Sequence, residues 1–178
     1  MNEKIYRTIV CTRSNMNLDA FDLHLLRLLQ QDCLTPLRSL ADTVHLSTAS
    51  VQRRIQKLRE HGYITGNVAI LDPDKLNQVI TILVEVRVNK THITDLEQLK
   101  TSFSGAEIQQ CYYVTGEADF MLVLLVPSMK RFQEICDVLF HHNENVEWFK
   151  TTVVLDRVKV SLDVPQVGLL DWPWSIKS

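Results

Sequence analysis

Small, polar and basic residues follow Ser47 and form the clearest chemical pattern in this sequence. If the segment is a helix, Val51, Ile55 and Leu58 recur at the spacing of one buried face. The opposite face is then small, polar and basic, with a single acid, Glu60, at its C-terminal end. Such a face suits the major groove of duplex DNA, which is about 12 Å wide and admits one helix. We therefore predict a DNA recognition helix that begins at Ser47.

The side chains of this helix are predicted to make two kinds of DNA contact. Gln52 and Arg53 would read bases, because amide and guanidinium groups pair with adenine and guanine edges. The small first residues would permit close approach, and the remaining basic residues would contact phosphates, which position a protein without specifying sequence. A solvated basic helix face is the alternative interpretation. The predicted DNA-contacting residues are Arg38, Ser47, Thr48, Ala49, Ser50, Gln52, Arg53, Arg54, Gln56, Lys57 and Arg59.

Two preceding helices and a following wing are predicted to position the recognition helix. Apolar periodicity indicates a helix over residues 19–31 with Asp19 as its cap, and a shorter helix from Pro36 with Thr35 as its cap. Gly62 is expected to end the recognition helix at residue 61. Residues 63–70 favour a short β-hairpin. Residues 17–70 are therefore predicted to form a winged helix-turn-helix domain.

The second half of the chain has a different periodicity, which predicts a ferredoxin-like β-α-β-β-α-β domain over residues 79–164. The fold class is thus α+β. Residues 71–78 are the predicted linker, residues 1–16 an extension in which Met16 offers an alternative start, and residues 165–178 a tail with Trp172 and Trp174. Predicted strands cover residues 79–88, 107–115, 119–126 and 146–155, with an edge strand over 158–164; predicted helices cover residues 93–103 and 128–140.

Composition and charge restrict the function classes. Through Gly66 there are nine basic and six acidic residues, and after it ten basic and fifteen acidic residues, which suits a DNA-binding half joined to a half with another task. The four cysteines and the His141-His142 pair lack the spacing of a metal site, so no metal or cofactor is expected. The longest apolar run, Phe120 to Val126, has seven residues, so we expect no membrane segment and a cytoplasmic protein.

With these features in place, the sequence resembles the leucine-responsive regulatory protein/AsnC (Lrp/AsnC) family of transcription regulators. The resemblance covers residues 17–164, with its most specific part between Leu46 and Ile64. It differs at Asp32-Cys33-Leu34 and at Asn77, where the family usually has glycine. The matching segments are Leu18-Asp19-x-x-Asp22, Leu71-Asp72-Pro73, Val114-Thr115-Gly116-Glu117-x-Asp119-Phe120 and Thr151-x-Val153-Val154-Leu155.

The resemblance implies a homodimer that assembles further to tetramers or octamers, and a small amino-acid effector bound near the glycine loop. The effector-binding residues that it implies are Thr115, Gly116, Glu117, Asp119 and Thr151. A Gly116 turn could present backbone N–H groups to a carboxylate, and Asp119 could meet an ammonium group. A plain polar hairpin turn is the alternative for this loop.

The sequence leaves three function classes to distinguish. The first is a sequence-specific regulator that binds paired half-sites on double-stranded DNA and responds to an effector. The second is an architectural nucleic-acid-binding protein without a ligand, for which phosphate contacts would dominate. The third is an enzyme, but Glu117 and Asp119 have no companion base or nucleophile, and no phosphate loop is present. We predict the first class and no enzymatic activity.

Overall fold

The computed structural model describes residues 17–77, 80–89 and 96–165. The predicted extension 1–16, most of the predicted tail with its two tryptophans, and the predicted start of the helix at residue 93 lie outside these residues. The chain divides into two compact units. The first contains residues 1–69 together with 161–178, and the second contains residues 70–160.

Three helices form the first unit: α1 (Ala20–Gln31), α2 (Leu37–Val44) and α3 (Thr48–Glu60). Asp19 caps α1 in a capping box, in which Asp19 and Asp22 each accept the other's backbone N–H. Ser47 caps α3, and Gly62 follows that helix with φ +76°, a backbone conformation that favours glycine. The core of the unit comprises Leu25, Leu40, Ala41, Val44, Val51 and Ile55.

Local hydrogen bonds replace the glycine expected after α1. The Asp32 carboxylate accepts the Leu34 backbone N–H at 2.8 Å, and its carbonyl accepts the Thr35 hydroxyl at 2.8 Å. Thr35 therefore does not cap α2, and the prediction of that cap is wrong: Pro36 is the N-cap residue, without a side-chain hydrogen bond.

The predicted wing is absent from the described residues, because residues 65–72 have no regular secondary structure. Ile64 packs against the helix core, but Val68 is 79% exposed and Ile70 is 98% exposed, so the second strand of the predicted hairpin has no such packing. An isolated two-stranded hairpin without such packing is marginally stable. The hairpin prediction is therefore wrong for this chain.

A four-stranded antiparallel sheet organises the second unit, in the order β2-β3-β1-β4. Its strands are β1 (Ile80–Val88), β2 (Ile108–Tyr113), β3 (Phe120–Val126) and β4 (Val146–Val153). β1 pairs with β3 on one side and with β4 on the other, as the β-α-β-β-α-β order requires. A 3₁₀ turn, Asp74–Leu76, precedes the sheet and ends at Asn77 with φ 56°, which asparagine adopts more readily than most residues.

Helices α4 (Leu96–Ser102) and α5 (Met129–Cys136) cover one face of this sheet, and α5 continues into a π-helical turn, Asp137–His141. Phe103 contacts Phe120 edge to face at 5.2 Å between ring centroids, which joins helix and sheet. The edge strand predicted over residues 158–164 does not form. Val158 and Leu162 are 89% and 79% exposed, so that segment lacks the strand pairing and burial that the prediction assumed.

Candidate functional sites

The N-terminal half of α3 exposes the side chains predicted to read bases. The Ser47 hydroxyl accepts the Ser50 backbone N–H at 3.2 Å, so this hydroxyl holds the start of the helix. Val51, Ile55 and Leu58 are buried, and Gln52 and Arg53 are exposed. The buried and exposed faces of the helix are therefore the ones that the periodicity predicts. Also exposed are Arg38, Thr48, Ala49, Gln56, Lys57 and Arg59.

Arg54 lies apart from this exposed face. Its Nη1 atom is 2.8 Å from the Asp19 carboxylate and 2.7 Å from that of Asp22, and its guanidinium lies over the Phe21 ring. The hydrogen bond that Arg54 donates to the Asp22 carboxylate raises the pKa of Arg54 despite partial desolvation. Partial burial acts to raise the pKa of Asp19, but hydrogen bonds from the Asp22 backbone and from Arg54 outweigh it and lower that pKa. Arg54 therefore joins α3 to α1, and this placement argues against the predicted phosphate contact.

The loop between β2 and β3 contains four of the five residues implied as an effector site. Thr115, Gly116 and Glu117 are exposed, and Gly116 has φ +132°, which side-chain-bearing residues rarely adopt. A hydrogen bond of 2.8 Å from the Val114 N–H to the Asp119 carbonyl closes the loop. The loop thus presents exposed backbone around a glycine turn.

Asp119 is 5% exposed and lies under this loop rather than on its surface. Its carboxylate accepts the Val88 backbone N–H at 3.0 Å, and its own N–H donates to the Val86 carbonyl at 2.9 Å. The Arg87 guanidinium is 3.7 Å from the same carboxylate. Because the carboxylate is buried and engaged by the protein, its position argues against the predicted direct contact with an ammonium group.

Arg87 is a residue of this site that the sequence analysis missed. Its Nη1 atom donates to the carbonyls of Gly116 and Glu117, and its Nε atom is 3.9 Å from the Glu147 carboxylate on β4. A basic residue among the apolar residues of a buried strand could have signalled this role. Arg87 joins the glycine loop to two other strands.

Thr151 is not brought to the loop within one chain. It lies on β4 opposite Val84, whereas Asp119 bonds to Val86 and Val88 from the β3 side of β1. Thr151 is therefore separated from the loop by a strand. It could join a ligand site near the loop only through another arrangement, such as a second copy of the chain.

The sheet face opposite the helices has a half-buried apolar patch, beside the charged residues Glu85 and Arg87 on the same side of β1. Alternation along β1 and β3 directs Leu83, Met121, Val123 and Leu125 to this face, each of intermediate exposure. Such a face is a candidate for contact with another protein surface.

Metal and membrane functions find no support in the part of the chain that the structure describes. No cluster there of three or more histidine, cysteine or acidic side chains could hold a metal ion. None of the described helices combines the length and the apolar character that crossing a membrane requires. Burial, with the nearby Asp137 charge, raises the pKa of the Cys136 thiol to about 11, which makes it a poor nucleophile.

Two family models match the two units in order. An AsnC-type helix-turn-helix domain matches residues 18–59, and an Lrp/AsnC ligand binding domain matches residues 81–164. Among similar proteins, an HTH-type transcriptional regulator from Sinorhizobium fredii is 35% identical over 84% of this chain and 89% of its own. The leucine-responsive regulatory protein of Escherichia coli is 30% identical over 84% of this chain and 92% of its own.

Solved structures agree with this assignment. An AsnC family transcriptional regulator from Agrobacterium tumefaciens is 29% identical, with a TM-score of 0.78 over 83% of this chain and 97% of its own. A transcriptional regulator from Neisseria meningitidis, crystallised as an L-Met complex, shares the fold with a TM-score of 0.79 at 23% identity, over 86% and 100% of the two chains. These relatives are DNA-binding regulators rather than enzymes, and their match spans both units; the chain belongs to the Lrp/AsnC family of transcription regulators.

Proposed function

We propose that this regulator recognises a specific DNA sequence through α3 and that a small effector, an amino acid, changes its DNA affinity or its assembly. The observation that carries the first part is the exposed pair Gln52 and Arg53 on a capped helix whose other side is fully buried. These two side chains offer hydrogen bonds that distinguish base pairs. Lys57, Arg59 and Arg38 are exposed around them and would contact phosphates.

We place the amino acid at the loop between β2 and β3. Thr115, Gly116 and Glu117 expose backbone and side-chain groups there, and Arg87 holds the loop from below. Asp119 would position the loop. Thr151 of a neighbouring subunit would contact the ligand. The match to a ligand binding domain and the L-Met complex of the Neisseria protein support an amino acid as the ligand.

Assembly would proceed through the open sheet face with Leu83 and Val123. A two-fold dimer would place two copies of α3 on half-sites separated by whole helical turns. Linkage would then couple the two activities, because an effector that favours one assembly changes the DNA affinity of that assembly.

A footprint on the DNA upstream of its own gene tests the DNA part of this proposal. We expect protection of two half-sites that persists against excess random duplex and changes when the effector is added. Equal displacement by specific and random duplex, with the same steep salt dependence, would instead indicate an architectural protein.

A thermal-shift screen of the twenty amino acids tests the ligand part. A ligand that binds only the folded chain stabilises it, by about 2.7 kcal/mol at a hundredfold excess over Kd. The midpoint temperature of unfolding therefore rises. The hit is then measured by calorimetry against Glu117→Ala and against Glu144→Ala, a control change of the same type outside the loop. Loss of affinity in both variants, or in neither, would remove Glu117 from the site.

A further inference from the structure

A groove opens on the first unit beside α3, and three of its lining residues, Gln52, Gln56 and Arg59, are also predicted DNA contacts. It has a volume of about 370 Å³ and lies between the C-terminal end of α1, the start of α2 and α3. Its lining combines apolar side chains with polar ones: Leu29, Leu37, Leu40, Ile55 and Cys33, and Thr35, Gln52, Gln56 and Arg59. A cavity of about 150 Å³ already accommodates benzene, so this groove is large enough for a bicyclic aromatic ring.

The C-terminal part of the chain is attached next to this groove. The Val164 backbone N–H donates to the Gln30 side-chain carbonyl at 2.8 Å, and the Gln30 amide donates to the Val164 carbonyl at 3.3 Å. Gln30 is the neighbour of Leu29 and lies three residues before Cys33, both of which line the groove. Three residues span at most about 11 Å, so the chain passes within that distance of the groove edge.

The thirteen residues that follow Pro165 have the composition of an apolar occupant. They contain Leu169, Leu170, Trp172 and Trp174, so two of the three tryptophans of the chain lie within three positions of each other. The seven residues after Pro165, through Trp172, can span up to about 25 Å, which is ample for the distance from Gln30. Indole rings bury 150 to 250 Å² each, which makes them strong anchors in apolar pockets.

We infer that the C-terminal segment 166–178 binds in the groove between α1, α2 and α3 of its own chain, with Trp172 or Trp174 against Leu29, Leu40 and Ile55. The paired hydrogen bonds between Gln30 and Val164 hold the segment at the groove. Gln52 and Arg59, on the wall of the groove that α3 forms, would then lie beside the bound segment. This inference does not depend on the proposed DNA or effector sites.

Tryptophan fluorescence of the full-length chain tests the inference. In Trp148→Phe, Trp172 and Trp174 are the remaining tryptophans. We expect a blue-shifted emission and several-fold weaker acrylamide quenching than in a synthetic peptide of residues 166–178. Emission and quenching equal to those of the peptide would overturn the inference.

A blocking variant in the same background locates the binding surface. Leu37→Glu places a carboxylate at the groove edge, where the side chain is already 39% exposed and an acid near a helix N-terminus is tolerated. Ser39→Glu is the control, because it is exposed on the same helix and does not line the groove. We expect a red shift and stronger quenching in the first variant alone, with circular dichroism confirming that both are folded. Unchanged fluorescence in folded Leu37→Glu would overturn the inference.

Crosslinking distinguishes the two chains that could supply the segment. With Cys11, Cys111 and Cys136 replaced by alanine, Ser175→Cys leaves Cys33 and the new thiol for a flexible bismaleimide reagent. We expect a crosslinked single chain on a denaturing gel. A crosslinked pair of chains would overturn binding within one chain and assign the groove to a second copy.

Discussion

At the scale of single residues, Arg53 and Arg54 show how adjacent arginines take different roles. They are about 100° apart on α3, so one is exposed on the face away from the core and the other faces α1. Arg54 is held by two carboxylates, and Arg53 is available for a DNA base. Equal charge therefore does not give equal function.

Substitution of Arg53 tests the base-reading role. We expect Arg53→Ala to weaken binding to the specific site by about 1 to 3 kcal/mol and to relax specificity at one base pair. Lys57→Ala, predicted to lose a phosphate contact, should weaken binding to all DNA sequences alike. It should also lower the slope of the logarithm of the binding constant against the logarithm of salt concentration by about 1. Binding titrations on specific and random duplexes at several salt concentrations measure both effects. A uniform loss in Arg53→Ala would identify it as a phosphate contact instead.

Substitution of Arg54 tests its structural role. Arg54→Met removes the charged partner of Asp22, which is 5% exposed, and should destabilise the chain by about 1 to 3 kcal/mol in urea unfolding at pH 7. Arg53→Met is the matched control and should be close to neutral. Equal stability of the two variants would contradict the ion pair.

The second ion pair of Arg54, with Asp19, makes stability depend on pH. The pKa of Asp19 is lower in the folded chain than its ordinary value of 3.8, so ionised Asp19 stabilises the fold above that value. This contribution is lost as the pH falls through the folded pKa. In unfolding series from about pH 5 to pH 3, Arg54→Met should therefore lose less stability than the unchanged chain. Parallel curves would show that Arg54 does not lower the Asp19 pKa.

At the scale of elements, the loop between β2 and β3 depends on a glycine and on groups from β1. Gly116 supplies φ +132°, and Arg87 and Val88 of β1 bind the loop carbonyls and the Asp119 carboxylate. The loop geometry is thus shared between the hairpin and its neighbouring strand.

Substitution of Gly116 tests whether the loop requires the positive φ that glycine allows. Gly116→Ala should destabilise the second unit by about 1 to 3 kcal/mol, because an alanine is strained at this φ although no atom blocks its Cβ. Gly66→Ala has equally open space without a positive φ, and should be neutral or slightly stabilising. Thermal unfolding measures both, and equal effects would argue against backbone strain at Gly116.

At the scale of the whole molecule, the apolar sheet face is the surface through which we propose that copies associate. Two copies of one face would bury Leu83, Met121, Val123 and Leu125 from each chain and form an isologous, two-fold contact. DNA binding to paired half-sites would then require this face as well as α3.

Disruption of the sheet face tests this coupling. Val123→Arg introduces a charge in the middle of β3 and should shift the chain to monomers in analytical ultracentrifugation, with loss of the paired footprint. Val138→Arg is the control, because Val138 is 73% exposed on the π-helical turn, away from the sheet. A dimer that survives in Val123→Arg would place the contact elsewhere.

Local signals in the sequence were sufficient for the helices and strands that were predicted correctly. The bounds of α3, its Ser47 cap and its buried face follow from residues within a few positions of each other, because capping and helical periodicity act over one or two turns. The order of the sheet domain also followed from alternation in each strand. The hairpin over residues 63–70 and the strand over 158–164 failed because β-structure requires a partner strand and a surface to pack on.

The sequence by itself therefore determined that this protein has a helix-turn-helix followed by a β-α-β-β-α-β domain, and which side of α3 is exposed. Only the tertiary structure decided that Arg54 pairs with Asp22, thirty-two positions away, and that Asp119 is buried against Val88 and Arg87. The physical reason is distance along the chain. A charged side chain has no local preference for one partner, so its role depends on which carboxylate or N–H the fold brings within hydrogen-bonding range.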